Sequence, residues 1–126
     1  MVSYIDVYST LAEIIDYKLN CNEAPDSRSL MPLFKGDLIK PRRIIHHAPA
    51  DPTGAWYALR DGKWKFIDSN PPKLFDLEND LGEENDIFDK HSFRANRMKS
   101  ILDQMVNSIQ QRENRTQYGL ITECFK

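Results

Sequence analysis

Apolar residues recur at helical spacing in two stretches of the chain and alternate with polar ones in a third. Near the start, Ile5, Tyr8, Leu11, Ala12 and Ile15 form one stripe, with Asp6, Glu13 and Asp16 off it. This 3.6-residue period predicts an amphipathic helix. Ser3 stands in the cap position, and Asp6 three residues on makes a capping-box-like arrangement. Toward the other end, Met98, Ile101, Leu102, Met105, Val106 and Ile109 predict a second helix over residues 92–111.

Between the two lie the signals of a sheet. Residues 20–29 read as a loop, with Pro25-Asp26-Ser27 as turn chemistry. Leu30 to Phe34 is a short apolar patch broken by Pro32 and closed by Gly36-Asp37. The β-branched Ile44 and Ile45, bounded by Pro41 and Pro49, predict a strand over Arg42 to His47. Asp61-Gly62 is a preferred two-residue hairpin turn. Taken as the loop, it pairs Arg60 with Lys63, Leu59 with Trp64, Ala58 with Lys65 and Tyr57 with Phe66. Side chains alternate across a strand. One face then carries Tyr57, Leu59, Trp64 and Phe66, and the other carries Arg60, Lys63 and Lys65. A further strand is predicted at Lys73 to Leu77, an acidic loop at Glu78 to Asp86, and a weakly patterned tail from Asn114. Helix, strands and helix in this order predict an α+β fold with a small antiparallel sheet.

Composition narrows the partners. The 126 residues are 40% hydrophobic and 29% charged, with a net charge of −2, enough for one modest core. Near-neutral charge gives no electrostatic reason to expect nucleic acid or an anionic membrane as partner. No apolar run reaches the ~20 residues of a membrane span. Met1-Val2-Ser3-Tyr4 has neither the basic nor the apolar region of a signal peptide. Cys21 and Cys124 make no disulfide framework.

Four segments, in order, resemble the C-terminal portion of sulfatases, the arylsulfatase-type enzymes of the alkaline-phosphatase-like superfamily. They are Val2 to Leu11, Asp26 to Leu33 with Lys35-Gly36, Ala58-Leu59-Arg60-Asp61-Gly62-Lys63-Trp64-Lys65-Phe66-Ile67, and Leu74 to Asn85. The family usually has Pro where this chain has Ser9. The resemblance implies a four-stranded antiparallel sheet packed with a C-terminal helix (residues 37–113), followed by a tail (114–126). It also implies that residues 1–36 are a helix and linker ending the catalytic domain. The formylglycine made in a C/S-x-P/A-x-R motif, and the calcium ion of the family, belong to that upstream domain. No such motif occurs here: Cys21 is followed by Asn22-Glu23-Ala24-Pro25, and the frame from Ser108 to Arg112 has Gln110 in the Pro/Ala place. The chain itself is therefore expected to hold no cofactor and to hydrolyse no sulfate ester.

The expected role is a buttress for the catalytic domain that lines one side of its cleft. The expected partner is that upstream domain, or a second copy of this chain through the first helix. A sulfated sugar or aryl sulfate would be the substrate of the intact enzyme. The alternatives are a free-standing binding module derived from a sulfatase and a fragment of a related phosphodiesterase; Arg60 to Lys65 favour the sulfatases. Family members are often periplasmic, secreted or lysosomal. By the resemblance, His46, His47 and Arg60 are candidate substrate contacts. Neighbours on a strand point to opposite faces, so the two histidines do not share a metal. Asp76, Glu78 and Asp80 alternate as calcium ligands do, but Leu81 and Ile87 stand where an EF-hand loop needs Gly and Glu.

Overall fold

A computed structural model describes residues 2–20, 23–51 and 54–117. The elements in chain order are α1 (Asp6–Ile14), α2 (Met31–Phe34), β1 (Ile44–Asp51), β2 (Gly54–Asp61), β3 (Trp64–Ile67), β4 (Lys73–Asp76), a 3-10 turn (Asp89–His91) and α3 (Ser92–Gln117). The chain divides into two compact units between Pro41 and Arg42. No described helix is long and apolar enough to cross a membrane.

In the first unit, α1 is held by its polar side. Asp6 is 1% exposed. Its carboxylate accepts from the backbone N–H of Ser3 (2.8 Å) and of Arg28 (3.0 Å). Thr10, one turn on and also buried, donates to the Asp6 carbonyl and accepts from the Leu30 N–H at 3.0 Å. Buried carboxylates survive where donors replace lost water, and here one donor is local and the other comes from the chain folding back across residues 27–30. Ser3 makes no side-chain cap; the reciprocal half of the capping box, Asp6 to the Ser3 N–H, is what forms. At the other end the Tyr17 N–H reaches the Ala12 carbonyl and the Asp16 N–H that of Glu13. Asp16 takes φ +56°, so α1 closes in a Schellman motif with Asp in the place usually given to Gly. The apolar patch at Leu30 folds as the single turn α2, with Pro32 in its first turn.

In the second unit, four antiparallel strands lie in the order β1-β2-β3-β4. One face packs against α3. Leu59, Phe66 and Leu74 from the sheet and Ala95, Met98 and Leu102 from α3 form the buried core, with Tyr57, Trp64, Ile101, Met105 and Val106 around it.

The hairpin faces are those the alternation predicts, but the register differs. Asp61 pairs with Trp64, Arg60 with Lys65, Leu59 with Phe66 and Ala58 with Ile67. Gly62 and Lys63 are the two loop residues, and only Gly62 takes positive φ (+61°). Glycine at the first central position suits a type II′ turn, whereas Asp-Gly at both centres would make a I′ turn. The slip moves every partner by two residues, and a period of two leaves each side chain on its own face.

β1 also runs past Pro49 to Asp51, with its pairing shifted between Ala48 and Asp51. It is an edge strand, where a missing N–H and a bulge are tolerated. β4, the other edge, is covered by its own downstream loop. The Leu74 N–H donates to Asp86 Oδ1 at 3.0 Å, and the Leu74 carbonyl accepts from the Ile87 N–H at 2.9 Å. α3 continues six residues beyond Gln111; the intervening Arg, Glu and Gln are good helix formers, and no Gly or Pro interrupts them.

Candidate functional site

The sheet separates the two histidines. His47 lies opposite Tyr57 and its ring stacks on the phenol, with centroids 4.7 Å apart and planes 25° from parallel. His46 lies opposite Ala58 on the other face. That face also carries Arg60, which pairs with Ile44 on one side and with Lys65 on the other. Of the three candidate contacts, His46 and Arg60 thus share a surface and His47 does not.

Ile44, Ala58 and Phe75 on this same face are buried, while His46 reaches solvent. Lys65 Nζ is held by Glu83 at 2.6 and 2.8 Å. Glu83 arrives from the acidic loop in a left-handed conformation, φ +57°. Sequence gave no sign of this partner, eighteen residues away and in a conformation uncommon for Glu. Arg60 Nε donates to the Gly62 carbonyl at 3.3 Å. Partial desolvation lowers the His46 pKa first, then the positive charges of Lys65 and Arg60; Glu83 opposes them. His46 thus lies beside two cationic side chains, of which Lys65 is paired with Glu83 and Arg60 with the Gly62 carbonyl. A nearby anion would favour the imidazolium.

Lys63, expected on the basic face, instead sits in the turn and bridges Asp76 and Glu78, both at 2.9 Å. The carboxylates of the acidic loop are spent locally. Asp76 also accepts from Asn79 and the Glu78 N–H, and Asp80 from the Glu84 and Asn85 N–H groups. They face separate donors. Among the described residues no three His, Cys, Asp or Glu side chains gather to hold a metal.

The sheet-and-helix architecture occurs in solved structures. The fold is shared with part of solved sulfatases and of a phosphonate monoester hydrolase. Ps i-CgsB, solved in complex with k-i-k-neocarrahexaose, superposes with a TM-score of 0.69 at 24% identity, over 82% of this chain and 24% of its own. A sulfatase of Bacteroides thetaiotaomicron, from work on its metabolism of multiple glycosaminoglycans, gives 0.63 at 21% identity, over 79% of this chain and 24% of its own. The phosphonate monoester hydrolase of Agrobacterium radiobacter gives 0.55 at 18%, over 83% and 24%. This chain thus spans about a quarter of the length of the structures it matches. No family model matches the sequence, and none of the curated proteins does.

Proposed function

We propose that this chain is the C-terminal subdomain of a sulfatase-like hydrolase. In this reading it is non-catalytic, buttresses an α/β catalytic domain and lines one side of the cleft with His46 and Arg60. The observation that carries the reading is the fold shared with about a quarter of sulfatase chains. The surface of α1 supports it. Ile5, Tyr8, Leu11 and Ile15 are all exposed, Leu11 at 55% and Ile15 at 72%. Of the stripe only Ala12 is buried; a helix fastened through Asp6 and Thr10 with four large apolar side chains outward is built to be covered. Sulfate esters are the substrate class that the sulfatase neighbours suggest, and an anion at His46, Arg60 and Lys65 suits that charge.

Co-expression with the product of the coding sequence immediately upstream tests the reading. The expected result is a complex whose upstream member carries the C/S-x-P/A-x-R motif and which hydrolyses an aryl sulfate. Leu11→Glu with Ile15→Glu should dissociate it, and this chain alone should turn nothing over. Hydrolysis of an aryl phosphonate instead would move the assembly to the phosphonate hydrolases. A monomeric chain with no such upstream product would overturn the reading in favour of a free-standing module for anionic sugars or a protein partner.

A further inference from the structure

On the α3 side of the sheet, away from His46, a concavity of about 490 Å³ opens where the 3-10 turn runs into α3. Its lining is strongly cationic. Arg43, Lys90, Arg94 and Arg97 carry permanent charges and His91 adds an imidazole, against Asp61 as the one carboxylate of the lining. Asp61 is already committed to Arg43, Oδ2 to Nε at 2.8 Å. In a chain of net charge −2, this is a segregated patch rather than the overflow of a basic protein.

The cations are also partly ordered. The Arg94 guanidinium lies 4.6 Å over the Trp64 ring, and the His91 ring sits 5.3 Å from the same ring. Stacking fixes the guanidinium plane and leaves its N–H edge to donate. Lys90 and Arg97 make no ion pair among the described residues, so their donors are open to a ligand. The rest of the lining includes the apolar side chains of Phe93, which is exposed, and Ile101. A tetrahedral oxyanion offers several acceptors to forked guanidinium donors, and an apolar surface beside it suits an organic body rather than a bare ion.

We propose that this groove binds a small organic sulfate or phosphate monoester, its oxyanion held by Lys90, Arg94 and Arg97 and its organic part resting on Phe93 and Ile101. The test is calorimetric titration of the 126-residue chain at fixed ionic strength with phenyl sulfate, phenyl phosphate, inorganic sulfate and inorganic phosphate. One saturable site is expected for at least one aryl ester, about tenfold tighter than for the matching bare ion. The tighter ester identifies the headgroup. Lys90→Gln with Arg97→Gln should weaken it by about tenfold or more, as loss of charge-assisted hydrogen bonds does, with an unchanged far-ultraviolet melt. Lys73→Gln, on β4, should leave it unaltered. Amide shifts on titration of the unaltered chain should cluster at residues 90–101, a readout that needs no variant. Absence of saturable binding, equal affinity for the bare ions, or shifts scattered over the surface would overturn the proposal.

Discussion

Asp6 shows how much one carboxylate decides in the first unit. It joins the start of α1 to the returning chain at Arg28 through two backbone donors. Leaving such donors unpaired costs roughly 1–3 kcal/mol. Asp6→Ala should therefore speed amide exchange at Ser3 and Arg28 by at least tenfold, read by hydrogen–deuterium exchange; unchanged exchange would mean that these contacts hold nothing together. His46 gives a pH signature. Its folded pKa lies below the 6.5 of the free side chain. The unfolded chain then takes up the proton first, so the stability His46 contributes is complete above about pH 6.5 and is lost as pH falls through the folded value. Urea unfolding between pH 7 and 5 should show a decline that is shallower in His46→Gln; identical slopes would remove the effect. The separation of His46 from His47 was legible in the alternation of a strand. The burial of Asp6 was not, because the apolar stripe marks only the face that seeks apolar cover, and one of its donors, the Arg28 N–H, lies twenty-two positions away.

At the scale of elements, the hairpin and α3 form one packing unit. Phe66 is fully buried between them, and Phe66→Ala should cost about 3–5 kcal/mol. Lys63→Ala removes ion pairs with the half-buried Asp76 and the exposed Glu78 and should cost about 1 kcal/mol. Gly62→Ala meets no atom within 4 Å, so its penalty is purely that of holding φ at +61°, about 1 kcal/mol. Chemical denaturation of the three variants measures this. Similar losses for Phe66 and Lys63 would show that the sheet does not present the face described. The hairpin faces were readable from sequence, but the turn was not, since Asp-Gly and Gly-Lys are both acceptable loops one residue apart. The pairing of the flanking strands to β1 and β4, not the turn residues alone, selects between them.

For the molecule as a whole, the outward stripe of α1 has consequences in the isolated chain. Tyr8, Leu11 and Ile15 leave apolar area in water, each forgoing about 1.5–3 kcal/mol available on burial. The 126-residue chain should bind an environment-sensitive dye and self-associate at raised concentration. Leu11→Glu with Ile15→Glu should abolish both without lowering the melting temperature. A loss of roughly 2–5 kcal/mol for Leu11→Ala, the cost at a buried leucine, would show instead that the stripe is covered within one chain. The docking reading would then fail.

Periodicity alone established that there are two amphipathic helices, a hairpin between them, and which hairpin side chains share a face. These depend on the geometry of single elements, 3.6 residues per turn or two per pleat. The segment resemblance pointed to the same sheet-and-helix fold that the solved sulfatases share. Tertiary structure decided the rest: the hairpin register, the burial of Asp6 and Thr10 on α1 while Glu13 and Asp16 stay exposed, the clasp of Glu83 on Lys65, and the arrival of Arg43 beside Lys90, Arg94 and Arg97 at one groove. Each of these brings together residues separated in the chain. Such pairings leave no period in the sequence, because their partners are chosen by where the folded backbone brings them and not by their spacing along it.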